Sequence, residues 1–218
     1  MIAGTGSNST DEAVELSQYA EKAGSDALLV VTPYYNKPTQ EGLYQHYKKI
    51  NDSVGIPIII HNIPSRSVID MSVETMSKLY ELKNIAGVKD ATGDLNRVDQ
   101  QLKAMGKDFI QLTGNDDKAL EFNKRGGVGA IGVTANIAAK ISSDFQKACE
   151  QKNEEAETLD KLLQPLHSAL FIESNPSPVK YAASLLGMCN PSVRLPLVEI
   201  REETKKKVSE ALKVAKLL

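Results

Sequence analysis

The sequence predicts an α/β fold of consecutive βα units: a (β/α) TIM-type barrel of about six units, fewer than closure needs, with three C-terminal helices. Three observations carry this. Short, β-branched apolar runs alternate with longer amphipathic segments along residues 1–152. The runs are continuous rather than alternating, as strands buried on both faces must be. No glycine-rich turn opens a helix directly after a strand, which disfavours the dinucleotide-binding alternative.

Taken in order, strands are predicted at 2–4 (IAG), 27–31 (ALLVV), 57–61 (PIIIH), 85–89 (IAGVK), 109–112 (FIQL) and 129–133 (GAIGV). Helices are predicted between them at 10–23, 40–53, 73–82, 95–105, 116–125 and 135–150. Ser9 and Thr10 precede Asp11 and Glu12, Ser72 precedes Glu74, and Asn115 and Asp116 precede the fifth interstrand helix; each marks a helix start, because a short polar side chain caps free backbone N–H groups. The only G-x-G-x-x-G match, Gly127 to Gly132, precedes and enters a strand instead of following one. After about residue 152 no strand pattern remains, and helices are expected at 153–170, 178–187 and 199–217. The expected division is therefore an incomplete barrel over 1–152, since closure needs eight units, and a helical domain over 153–218.

Composition narrows the function. The chain has 218 residues, 41% hydrophobic and 25% charged, with a formal net charge of −2. That composition suits a soluble core-bearing protein. The near-neutral balance, with no basic block, argues against nucleic acid and anionic membranes as partners. Cys149 and Cys189 form no close motif, so a reducing compartment is expected and no disulfide framework. With no signal-peptide pattern and no long apolar run, the expected location is the cytoplasm.

Chemistry in a βα barrel sits at the C-terminal ends of the strands and in the loops after them. Lys89 ends the fourth predicted strand. An ammonium at an apolar strand mouth is disfavoured, so its pKa falls, and a neutral amine attacks carbonyls to form a Schiff base. The structural alternatives are a lysine snorkelling from the strand end or one paired with Asp90. Arg66, after the third strand, offers a guanidinium that grips a carboxylate bidentately, or else lies on the surface. Tyr34 and Tyr35 offer phenols for proton transfer, or two half-buried rings capping a loop. His61 is a candidate acid–base group or a hydrogen-bonded structural residue. His46, His61 and His167 share no metal-ligand spacing, and no metal is expected.

The segments VTPYYNKPTQEGLYQHY, NIPSR, GVKDATG, TGNDD, GVGAIGVTAN, NPSPVKYA and RLPL, in this order, resemble the dihydrodipicolinate synthase family. That family belongs to the class I pyruvate-dependent lyases, which include N-acetylneuraminate lyase. The resemblance runs from Ile2 to Leu218. It implies that Lys89 forms an imine with pyruvate, with no separate cofactor, and that the derived enamine adds to L-aspartate semialdehyde on the route to lysine and diaminopimelate. It implies Arg66 as the holder of the semialdehyde carboxylate, Gly114 and Ile131 as pocket-lining positions, and Tyr35 as a proton-relay residue reaching a neighbouring subunit. Asn8, Glu12 and Tyr34 resemble part of a lysine feedback site at a dimer interface, and a homodimer or homotetramer is implied. His61 stands where the family has a tyrosine. The family's first two βα units, with a Thr-Thr-Gly-Glu motif, have no counterpart in the sequence, so little turnover is expected of residues 1–218. Two other functions compete: a different pyruvate or 2-keto-acid aldolase, from which Arg66 points away, and a non-catalytic truncated remnant or assembly subunit, which the missing threonines and His61 favour.

Overall fold

A computed structural model describes residues 1–218. Its six strands are β1 (Ile2–Gly4), β2 (Ala27–Val31), β3 (Ile58–Asn62), β4 (Ile85–Asp90), β5 (Ile110–Thr113) and β6 (Gly129–Ala130). They form one parallel sheet in the order β1-β2-β3-β4-β5-β6. Sequential strands are spatial neighbours, the arrangement of a (β/α) barrel wall and not of a doubly wound sheet, whose order reverses. The wall is open, because β1 pairs only with β2 and β6 only with β5.

The helices are α1 (Thr10–Lys22), α2 (Gln40–Asn51), α3 (Pro64–Ser67), α4 (Val73–Tyr80), α5 (Asn96–Met105), α6 (Ala119–Lys124), α7 (Ala139–Glu150), α8 (Glu155–Ala169), α9 (Ser177–Leu185) and α10 (Glu202–Val214). The predicted caps on α1 and α4 form: Ser9 accepts from the Glu12 N–H at 3.5 Å and Ser72 from the Thr75 N–H at 3.1 Å. Thr39 caps α2 in the same way, accepting from the Gly42 N–H at 3.1 Å.

Two compact units are present. The first comprises Met1–Asn115 and Glu121–Ile131, the second Asp116–Leu120 and Gly132–Leu218. The expected division at residue 152 lies elsewhere, because α7 packs on α8 and so belongs with the C-terminal helices. In the first unit the core lies between β2–β4 and the helices α1, α2 and α4. Ile58, Ile59 and Ile60 are all buried, so β3 is covered on both faces. Tyr47 is fully buried and donates its hydroxyl to the Val30 carbonyl at 2.7 Å, joining α2 to β2.

Three local features differ from expectation. Segment 64–67 is a short helix, begun by Pro64, whose fixed φ suits a first turn, and ended by Val68 at φ 63°. Strand β6 stops at Ala130 rather than 133. The Val133 and Thr134 N–H groups turn away to the Asp116 carboxylate, at 2.7 and 3.0 Å. Asp116 thereby caps that loop, and a 3₁₀ turn over Asp116–Lys118 precedes α6. Finally, the β3–β4 pairing is irregular: Ile58 faces Ile85 but Ile59 faces Gly87, so Ala86 is skipped.

Candidate active site

Parallel strands present all their C-terminal ends on one side. There β3 delivers His61, β4 delivers Lys89, and Gly114 and Ile131 follow β5 and β6. In register, Lys89 is flanked by His61 and Leu112. Partners in register share a face, so the imidazole and the amine stand side by side. Lys89 is half-buried. Its stem runs past Gly114, where an added Cβ would lie 3.1 Å from Lys89 Cε.

Asp90 points the other way, as alternation along a strand demands. Its Oδ1 accepts from the Thr92 N–H (2.9 Å) and hydroxyl (2.6 Å). Its Oδ2 accepts from Arg97 Nε (2.9 Å) and Gln101 Nε2 (3.3 Å). The Asp90 carboxylate is engaged by Thr92, Arg97 and Gln101 on the opposite face.

His61 is held at about 4, below the ordinary histidine value, first by burial and then by the Lys89 charge. It is therefore neutral at pH 7. The cause is that solvation of the imidazolium is lost beside another cation. Its Nε2 is buried without a protein partner.

Arg66 is exposed on α3, four residues beyond the end of β3. Its turn is fixed from beneath. Buried Ser67 accepts from the Thr32 hydroxyl at 3.1 Å and lies within 3.0 Å of the Ile63 carbonyl. The loop after β2 carries Tyr34, 41% exposed, and Tyr35, 91% exposed. Tyr35 has φ 71°, a conformation that non-glycine residues rarely adopt. At this exposure Tyr35 is not one of two half-buried rings capping the loop.

Asn8 stands beside that loop, and Glu12 follows it on α1. Asn36 donates its amide to the Asn8 carbonyl at 2.8 Å, and the Ser7 hydroxyl donates to Glu12. Buried His46 meets the Thr10 hydroxyl at 2.9 Å, and burial holds its pKa at about 4. No cluster of three or more His, Cys, Asp or Glu side chains is arranged to hold a metal ion. The groups that sequence reasoning missed are Thr32, Ser67, Asp70 and Arg97. Thr32 stands at the mouth of β2; Ser67, Asp70 and Arg97 lie away from the strand ends, and only their long-range bonds reveal them.

A parallel βα wall with a lysine at the mouth of a central strand defines the class of (β/α)-barrel proteins with an amine at the strand ends. A profile of the Dihydrodipicolinate synthetase family matches residues 1–215, and the chain belongs to that family. It is 70% identical to the 4-hydroxy-tetrahydrodipicolinate synthase of Pelagibacter ubique (strain HTCC1062), covering all of this chain and 76% of that protein. Among solved structures, the chloride-inhibited dihydrodipicolinate synthase of Acinetobacter baumannii complexed with pyruvate aligns with TM-score 0.96 and 46% identity, over 100% of this chain and 75% of that one. The enzyme of Cyanidioschyzon merolae with lysine bound aligns with TM-score 0.94 and 36% identity, over 100% and 74%. The chain thus spans about three quarters of the length of these relatives.

Proposed function

We propose that this chain is a Schiff-base lyase of the 4-hydroxy-tetrahydrodipicolinate synthase type, condensing pyruvate with L-aspartate semialdehyde at Lys89. The observation that supports it most is Lys89 itself: a half-buried amine at a strand mouth, passing Gly114, with the neighbouring Asp90 carboxylate engaged on the far face.

The amine adds to the pyruvate ketone and water leaves, giving an imine. Loss of a methyl proton gives an enamine, whose carbon attacks the aldehyde of the semialdehyde. The semialdehyde's amino group then closes the ring on the imine carbon and frees Lys89. Neutral His61, abreast of Lys89, is suited to hydrogen-bonding the reacting centre rather than to charge transfer. Exposed Arg66 is suited to receive the semialdehyde carboxylate. Ile131 and Gly114 line the strand mouth beside it. Asn8, Glu12 and Tyr34 form part of a lysine-binding feedback site, in line with the lysine-bound relative.

Treatment with pyruvate and borohydride followed by peptide mapping tests the assignment. The expected product is a reduced pyruvyl adduct on Lys89. An adduct on another lysine, with Lys89 unmodified, overturns it.

We also propose a cytoplasmic homodimer or homotetramer whose contact includes Tyr34 and Tyr35. A ring that is 91% exposed on a strained backbone has little reason to persist in a monomer. No helix is long and apolar enough to cross a membrane. Sedimentation velocity should show a dimer or larger that weakens in Tyr35→Ser; a monomer at all concentrations refutes it.

A further inference from the structure

We propose that Arg97 is a positioning residue for Lys89, acting from the opposite face of the sheet. This rests on the reading of Lys89 as the reacting amine.

His61 and Lys89 are each followed directly by a polar residue, Asn62 and Asp90, and these two are also abreast in register. Alternation sends both to the helix-covered face, where both are buried. Arg97, on α5, joins them. Its Nε donates to Asp90 Oδ2 at 2.9 Å, its Nη2 to the Met71 carbonyl at 2.8 Å, and its Nη1 reaches Asp70 Oδ2 at 3.5 Å. Asp70 Oδ1 in turn accepts from Asn62 Nδ2 at 2.7 Å, and Asn62 Oδ1 accepts from the Met71 N–H at 3.0 Å.

A closed circuit therefore runs from β4 through α5 and the segment before α4 to β3. The β3–β4 ladder fixes which residues stand abreast, and this circuit holds the two strand ends at that register through a group that touches neither the imidazole nor the amine. The Arg97 side chain is only 11% exposed and that of Asp90 5%, so water does not screen the pair. Three acceptors in three directions match the planar fork of a guanidinium. A lysine, with one compact charge, reaches one or two of them. The charge alone is therefore not the function, and Arg97→Lys does not restore it.

The test compares Arg97→Lys, Asp70→Ala and Asp70→Asn with the parent chain. The Asp70 side chain is 50% exposed, so its loss leaves the fold intact even where an Arg97 variant fails to fold. Folding is checked by melting. Labelling of Lys89 by acetic anhydride at pH 8 is then measured by mass spectrometry against exposed Lys140 and Lys206 of the same molecule. Borohydride trapping with pyruvate is measured alongside.

The Lys89 labelling rate, normalised to the two reference lysines, should change by about threefold or more in Arg97→Lys, and in the same direction but less in Asp70→Ala. Trapping should slow by about tenfold, as for a displacement of well under 1 Å. Asp70→Asn, which keeps an acceptor for Asn62, should stay near the parent. Folded Arg97→Lys and Asp70→Ala with Lys89 labelling unchanged would overturn the proposal; if Arg97→Lys is unfolded, Asp70→Ala alone decides. Parent protein that takes pyruvate on a different lysine defeats the functional reading instead, and the labelling comparison still stands by itself.

Discussion

Replacing Gly114 by alanine adds one methyl group beside Lys89, and the cost is readable from its surroundings. The new Cβ would stand 2.7 Å from the Ala91 Cβ, 3.1 Å from Lys89 Cε and 3.4 Å from the Ala91 Cα. Carbon atoms rest about 3.5–4.0 Å apart, so the Ala91 contact is short by about 1 Å. Ala91 retreats only with difficulty, because its N–H donates to the Asn62 carbonyl at 2.9 Å and so belongs to the β3–β4 seam. Gly114 is tied as well, donating to the Asp90 carbonyl at 2.7 Å. The lysine stem is the part that yields. Overpacking of this kind costs about 1–3 kcal/mol. In a chain of this size each kcal/mol lowers the melting temperature by roughly 2–4 °C. Shifting the amine by a few tenths of an ångström should slow imine formation by about tenfold. Calorimetric melting and timed borohydride trapping with pyruvate, read at the Lys89 peptide, measure the two effects separately. Trapping at the parental rate would refute the close passage of Lys89 by Gly114, whatever the melting temperature does.

Two further outcomes follow from the buried imidazoles and the exposed guanidinium. Burial holds His46 and His61 at about 4 instead of 6.5, so the unfolded chain binds more protons than the folded one between those values. Stability is therefore full above pH 6.5 and falls as pH drops towards 4, by about 2 kcal/mol per ring once partial solvent access is allowed for. Melting at pH 7 and 4.5 should show a smaller difference in His46→Gln than in the parent; equal slopes would contradict the burial argument. In a protein that carries the family's first two βα units ahead of this chain, Arg66→Ala should raise KM for the semialdehyde by about tenfold or more, leaving KM for pyruvate unchanged and stability within about 0.5 kcal/mol. A raised KM for pyruvate alone would show that the guanidinium serves the other carboxylate.

The strands were legible because Leu28, Val30, Ile58, Ile60 and Val88 sit in short β-branched runs that only a doubly covered sheet explains. Lys89 stood out for the converse reason, as a charge ending such a run. What escaped notice depends on contacts between distant residues. Strand β6 ends early because Asp116, earlier in the chain, captures Val133 and Thr134, and nothing within GAIGV announces that. Arg97 looks like an ordinary charge on a helix face until Asp90 and Asp70 are seen to meet it. His61 reads as a titrating imidazole in sequence, because burial and the neighbouring ammonium are properties of the fold alone.

The skipped residue in the β3–β4 ladder bears on whether this chemistry can be transplanted. Had Ile58 opposite Ile85 been continued evenly, His61 would face Val88 and Lys89 would face Asn62. Passing over Ala86 advances β4 by one position and brings His61 level with Lys89. Gly87 permits the jog, because a Cβ there would lie 2.1 Å from the Ile110 carbonyl oxygen on the next strand. A designer who copied GVKDATG onto an evenly paired β-strand would inherit every named side chain and still set the amine opposite the wrong neighbour. What has to be borrowed is the offset at Ala86, three residues before the lysine.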